Sequence, residues 1–431
     1  MSTQRHATAG TTEDTAAVLE QRAEELDNQD ALASYRNHFI GTDTPLSYLD
    51  GNSLGRPLKR TAEDVAAFIR DEWGGRLIRG WDERWLAMPQ GIGDQLGRAV
   101  LGAAPGQTII ADSTTVVLYK LIRAALAAAA DPDRNELVLD TQNFPTDRYL
   151  VEGIALEEGL TLRWIQADQA AGVTAEQVRD AVGPRTAVVL LSHIAYRSGH
   201  LADLPAITAA VHDAGALVVW DLCHSAGSVE MDLDGAGVDF AAGCTYKYLN
   251  GGPGSPAFAY VNHRHLPSLN QPIWGWMGRK DAFEMAAGYE PAAGIRGFLS
   301  GTPAIFGMIA MQGTLDLIEE ATMAAIREKS VQLTAFAVEV FDALLAPLGA
   351  ELATPRDPAR RGSHITVDHS DFTKATVEAL WDGDVIPDFR APHGIRVGLS
   401  PLSTSFREVL QGMEAVRDRL SPVSTRLGSG R

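Results

Sequence analysis

Two segments bring together side chains able to do covalent chemistry: WDLCHSAG, with Asp221 closing an apolar run, and CTYKYLNGGPG, with Lys247 in a polar, glycine-rich turn. A lysine and an aspartate on one rim have two readings. One is a partly buried ion pair. The other is a lysine that forms a Schiff base beside a carboxylate that keeps a pyridine nitrogen protonated, as a pyridoxal phosphate site requires.

Three further features favour the second reading. Asp112-Ser113-Thr114-Thr115 lies between a predicted strand and a long predicted helix, where hydroxyls and free N–H groups suit a phosphate. Asn143-Phe144-Pro145-Thr146-Asp147 puts an aromatic ring at a strand end, where it could stack on a flat cofactor. Tyr246, next to Lys247, offers a phenol to the same phosphate. Other chemistries lack their signatures: there is no GxSxG elbow, no GxxxxGK[ST] loop and no HExxH pair. His193, His200 and His224 lack metal-ligand spacing, so no metal is expected, and GGPGS at 251–255 reads as a turn.

The elements that must position these residues alternate through the middle of the chain. TIIAD, ELVLD, TLRWIQ, AVVLLSHI, ALVVWD and VDFAAGC read as short strands, most of them followed by helical stretches. That pattern predicts an α/β fold with a mostly parallel sheet and helices on both faces, ligands sitting at the carboxyl ends of the strands. Asp112, Asp140, Ser192 and Asp221 all stand where a strand ends; helix capping is the plainer explanation for any one of them. After Gly301-Thr302-Pro303 come long helices to about Leu345, then a smaller α+β region with strands near HITVDH and GIRVGLSP and a helix over 406–420. The expected division is an N-terminal tail, helix and loop segment (1–65), a large cofactor-binding domain (66–305) and a small C-terminal domain (306–431), with a loose tail up to about Gly10.

The chain has 431 residues, 45% hydrophobic and 21% charged, with a net charge of −18. This excludes a mostly disordered chain and argues against nucleic acid or an anionic membrane surface as partner. Cys223 and Cys244 are the only cysteines, too few for a disulfide framework. With no apolar leader near residue 1 and no long uninterrupted apolar run, a cytoplasmic enzyme is expected.

On these residues the chain resembles the kynureninase family, fold-type-I pyridoxal phosphate enzymes that hydrolyse kynurenine to anthranilate and alanine. The matching segments are YLDGNSLGRP, DEWGGRLIRGW, NFPTDRY, WDLCHSAG, GCTYKYLNGGPGS, Gly275-Trp276-Met277-Gly278, the RGSH of 361–364 and GIRVGLSPL, in family order from about residue 47 to 410. The resemblance implies that Lys247 forms the Schiff base, Asp221 pairs with the pyridine nitrogen and Phe144 stacks on the ring. Thr114, Thr115, Tyr246, Trp276 and Thr302 would hold the phosphate, the last two from the partner subunit of a homodimer. Asp147, Ser192 and His224 match cofactor-contacting positions. Arg396 matches the arginine that takes the substrate α-carboxylate, and Asn52 and Ser53 match the loop that closes on the substrate. For Tyr246, proton transfer and phosphate anchoring stand side by side.

Some positions depart from the family pattern: Met277 for an aromatic, Ser403 for tyrosine, and Ala195 where asparagine or histidine is common. Trp81, Gly301 and Thr302 match the bacterial branch, which favours unmodified kynurenine over the 3-hydroxy compound, with a ring-substituted kynurenine as the alternative substrate. Two rivals remain. A cysteine desulfurase-like lyase would need a mobile thiolate, and a non-catalytic binding or regulatory protein would have no use for Lys247, Asp221 and Arg396 together.

Overall fold

The computed structural model describes residues 4–129 and 131–420. The segment expected to be a loose tail is helical from Gln4, the first helix spanning Gln4–Gln29; residues 1–3 of that tail lie outside the described residues. The short strand β1 (Ser47–Tyr48) follows, apart from the main sheet.

The main sheet is built from β2 (Thr108–Ala111), β3 (Glu136–Asp140), β4 (Thr161–Ile165), β5 (Thr186–Ser192), β6 (Leu217–Asp221), β7 (Phe240–Gly243) and β8 (Ala257–Val261), in the order β2-β8-β7-β6-β5-β3-β4. All six strands expected from the apolar runs are present. β8, the segment AFAYV, adds a seventh that runs antiparallel to both its neighbours; the other pairs are parallel. The other six strands thus end on the same side.

Alternation along each strand divides the core between the two faces. Val218 and Trp220 point to one face, packed with Leu204, Ile207, Met308 and Leu315 of the covering helices. Val219 and Leu190 point to the other, under Val117, Leu121 and Ile154. Both faces are covered, which is why these strands read as apolar runs rather than as alternating sequence. Ser192 and Asp221, paired in register, extend the second face past its apolar part, toward the start of the helix Thr114–Ala128.

The C-terminal part carries β9 (Glu351–Leu352), β10 (His364–Asp368), β11 (Val385–Ile386), β12 (Asp388–Arg390) and β13 (Gly394–Gly398). β12-β13-β10-β9 form an antiparallel sheet, while β11 pairs in parallel with β1. A third core, of Leu333, Phe336, Val340, Ile365, Val397 and Phe406, lies beneath them and takes in Leu19 and Ala23 of the first helix. Met323–Leu348 is the one helical stretch among the described residues long and apolar enough to cross a bilayer, with a mean hydropathy of 1.5. Its apolar residues Leu333, Phe336, Val340 and Leu344 instead fill this core.

Candidate active site

Lys247 follows β7 in a turn closed by Asn250 N–H to the Lys247 carbonyl (3.0 Å) and Gly251 N–H to the Thr245 carbonyl (2.9 Å). The turn brings the lysine back over the strand ends, into a cavity of about 100 Å³. Thr114, Thr115, Phe144, Asp147, Asp221, His224, Tyr246 and Lys247, eight of the residues expected from sequence, line this one space. Thr146, Tyr196 and Cys223 complete the lining and were not among the expected site residues. Tyr196 lies just past the end of β5, so its strand-end position is the signal that could have found it.

Lys247 Nζ lies 3.0 Å from His224 Nε2. Burial, and then the nearby Lys247 charge, hold His224 far below the usual histidine range, so the ring is neutral. An ammonium donates, so Nε2 is the accepting nitrogen and the ring proton is assigned to Nδ1. Nδ1 is buried and has no partner. Asp221 accepts from Cys223 N–H at 2.8 Å and from the Ser192 hydroxyl at 3.3 Å, and that hydroxyl also lies 2.7 Å from Asn143 Oδ1. Ser192 thus stands behind Asp221, outside the cavity lining. Asp147 is fully buried and its Oδ2 is unpartnered. Burial, with Asp221 and Asp140 nearby, pushes its carboxyl well up, and Lys247 partly opposes the shift. Burial also holds the Tyr246 phenol well above its ordinary range, so it keeps its proton.

Beyond Thr114, Thr115 and Tyr246, which line both spaces, a second cavity of about 400 Å³ opens against Ser113, Ser255, Ser300, Gly301 and Thr302. The helix Thr114–Ala128 begins here, and its cap residue Ser113 makes no side-chain cap bond. The first-turn N–H groups and these hydroxyls make an anion site. Thr302 therefore lines the outer cavity of its own chain, whereas the resemblance assigned it to the partner's site. Trp276 lines neither cavity; it is 38% exposed and packs edge-on against Phe283. Trp81 also lies outside both, edge-on to Trp85 at 5.4 Å.

Arg396, Asn52 and Ser53 gather in a separate cluster. Arg396, on β13, is 1% exposed. It donates to the Tyr196 carbonyl and to Ser53 Oγ, each at 2.6 Å, and pairs with Asp388 at 2.7 Å. With the Asn52 amide oriented to satisfy both its ends, Asn52 accepts from Arg396 Nε at 3.0 Å and donates to Asp50 at 3.2 Å. Asp388 and Asp50 are members that the sequence reading did not include.

The inner cavity fits pyridoxal phosphate. An unpartnered Asp147 oxygen and Asp221 suit a cationic ring nitrogen, His224 Nδ1 is a spare donor, Phe144 offers a face, and the outer cavity, which shares Thr114, Thr115 and Tyr246, offers an anion site. Both cysteines are buried, and Cys244 N–H reaches Cys223 Sγ at 3.3 Å. The side-chain hydrogen bond between the two thiols, with burial, pushes the Cys223 thiol up, and against burial it brings the Cys244 thiol down to about 7, at a sulfur whose residue lines neither cavity. A mobile attacking thiolate is not what this geometry provides.

Comparison with known proteins agrees with that fit. The aminotransferase class-V family model matches residues 96–386. A kynureninase of Pseudomonas fluorescens is 41% identical over 401 residues, 92% of this chain and 94% of that one. A kynureninase of Burkholderia pseudomallei (strain 1106a) is 41% identical over 400 residues, with the same coverage. Among solved structures, a cysteine desulfurase from Thermococcus onnurineus NA1 superposes with a TM-score of 0.77 at 17% identity, covering 89% of this chain and 97% of that chain. A C-DES mutant with glycine covalently linked to its PLP cofactor gives 0.75 at 21%, covering 89% and 98%. These two share the fold alone. The chain is a pyridoxal phosphate enzyme of the class-V aminotransferase fold and belongs to the kynureninase family.

Proposed function

We propose that the protein hydrolyses the Cβ–Cγ bond of L-kynurenine, releasing anthranilate and L-alanine, and that it does so as a cytoplasmic homodimer. One observation carries the reading: Lys247, Asp221, Phe144, His224 and Tyr246 converge on one cavity, in a chain 41% identical over 92% of its length to a kynureninase. Two buried free thiols fit a reducing compartment.

Bound in the inner cavity, pyridoxal phosphate supplies an electron sink for the carbon that bears the substrate amine. Lys247 holds the cofactor and moves the proton at the substrate Cα. Neutral His224 takes a hydrogen bond from Lys247 Nζ and so fixes where that nitrogen sits. Asp221, held by Cys223 N–H and Ser192, keeps the ring nitrogen protonated. Thr114, Thr115 and Thr302 hold the phosphate. Tyr246, which retains its proton, donates either to that phosphate or to the substrate's γ-oxygen as water adds. Positioned proton transfer of this kind contributes roughly 10²–10⁴ in rate. Arg396 serves the α-carboxylate, and Asn52 and Ser53 close over it.

The match of Trp81, Gly301 and Thr302 to the bacterial branch supports unmodified kynurenine over a ring-substituted one, and the unusual positions lie off both cavities. Ser403 is buried, with its carbonyl taking Arg36 Nε at 3.3 Å. Ala195 borders a separate small space beside Ser192 and Asn143, and Met277 is core. The test is a paired assay of the cofactor-loaded protein with L-kynurenine and 3-hydroxykynurenine, following the aryl product, with Lys247→Ala as control. Faster release of anthranilate, abolished by Lys247→Ala, is expected. Faster turnover of the hydroxylated compound would overturn the substrate, and a fully active Lys247→Ala would overturn the chemistry.

A further inference from the structure

β12 and β13 set three charged residues on one face of the small sheet. Asp388 and Arg390 are two residues apart on β12 and so share a face. Asp388 stands directly opposite Arg396 on β13, and Arg390 stands opposite Gly394, which puts no side chain beside it. Both guanidinia lie at ion-pair distance from one atom, Arg396 Nη2 at 2.7 Å and Arg390 Nη2 at 2.5 Å from Asp388 Oδ2, without the alignment of a hydrogen bond.

The two arginines differ in what they have left to give. Arg396 is fully buried, and its Nε, Nη1 and Nη2 are each engaged within the chain. It can take a second carboxylate through its fork only by releasing Ser53 or Asp388. Arg390 is half-buried, and its Nε is buried with no hydrogen-bond partner. Its guanidinium lies 5.6 Å over the ring of Tyr196, which lines the inner cavity and meets Phe144 edge-on at 5.3 Å. The arginine with an unengaged Nε is therefore the one stacked on a tyrosine of the cavity wall, and the carboxylate already seated between the pair marks where an anion fits.

We propose that Arg390 is a second substrate-anchoring residue. It shares the α-carboxylate of the amino-acid substrate with Arg396, and Asp388 holds the two guanidinia together until that carboxylate arrives. The proposal rests on the reading of the protein as an enzyme acting on kynurenine.

The test uses the holoenzyme, with Arg390→Gln and Arg390→Lys beside wild type. KM and kcat are measured with L-kynurenine. Binding of L-alanine and of decarboxylated kynurenine is followed by the absorbance of the bound cofactor. Arg390→Gln should raise KM for L-kynurenine and Kd for L-alanine by about tenfold or more, while Kd for the decarboxylated compound stays within about twofold. Arg390→Lys, which keeps the charge and loses the fork, should fall between. An unchanged KM, or equal weakening of ligands with and without the carboxylate, overturns the proposal. If Arg390→Gln does not fold, Arg390→Lys decides by the same comparison: selective weakening of the carboxylate ligands supports the proposal and equal weakening overturns it. A wild type that releases no aryl product from kynurenine would sink the activity instead, and the L-alanine titration would still report on Arg390.

Discussion

Asp147 lies near Asp221 and Asp140 at one end of the main sheet, with Lys247 opposing the upward shift at Asp147 and Arg148 the one at Asp140. Such carboxylates repel one another and are held out of water. Burial pushes Asp140 up to about 6, against the Gln142 N–H that it accepts at 2.9 Å. The folded protein therefore binds more protons at Asp140 than the unfolded chain does between about pH 4 and pH 6. Stability from this group falls as pH rises through that window, and the full cost, up to about 3 kcal/mol, is present above it. Asp140→Asn should thus be more stable than wild type at pH 7.5 and gain little at pH 4, as read by urea unfolding at the two pH values. A gap that does not change with pH would show that Asp140 is not the strained group. At this scale the sequence was informative where chemistry fixes residue type. Asp221, Lys247, Phe144 and Asp147 stand out as a set, and all four face one cavity. Tyr196 does not stand out, because a tyrosine after a strand has many uses and only the fold turns it toward Phe144.

The loop after β1 ties the two charged clusters together. Gly55 N–H donates to the Tyr246 carbonyl at 2.8 Å, and Asn250 Nδ2 donates to the Arg56 carbonyl at 2.9 Å, so the loop lies directly against the Lys247 turn. A Cβ at Gly55 would collide with the Lys247 carbonyl and the Asn250 amide. Gly55→Ala should therefore displace the lysine's turn. The expected cost is about 1–3 kcal/mol of stability and at least about tenfold in kcat, with the cofactor more easily lost on dilution. Thermal unfolding, steady-state kinetics and the retained cofactor absorbance check all three, and a variant with normal kcat would show that the loop can yield without moving Lys247. The glycine-rich character of GNSLG is plain in the sequence, but the segment it packs on is some 190 residues away and could not be read locally. β12 is harder still. Three residues, PDFR less its proline, give no period to detect, so Asp388 and Arg390 emerge only once β13 is paired beside them. The parallel strands were legible because burial on both faces writes continuous apolar runs, whereas β8 follows directly on a glycine-rich turn and has only the single 3₁₀ turn Leu266–Ser268 directly after it.

On the scale of the whole molecule, one expected site residue stands apart from the site. Trp276 is 38% exposed and lines neither cavity of its own chain, although its segment matches the family's phosphate-holding position. Trp274, Ile78, Leu77 and Trp73 are more exposed still. A second copy that covers such residues and brings Trp276 to the outer cavity would account for both facts. Shared sites have a consequence that a pair of self-contained sites lacks. In a shared arrangement Lys247→Ala would disable the site of its own chain, and Trp276→Glu, which would put a carboxylate beside the partner's phosphate, would disable the partner's. Each homodimer should be inactive or nearly so. In a dimer of one chain of each kind, one site receives both defects and the other receives neither. Random pairing of equal amounts makes half the dimers mixed, each with one working site, so co-expression should restore about a quarter of the wild-type activity. If each chain built its site alone, the two defects would stay on separate sites and the mixture would show no gain over the average of its parents. Sedimentation of the mixture alongside the assay separates a failure to pair from a failure to share.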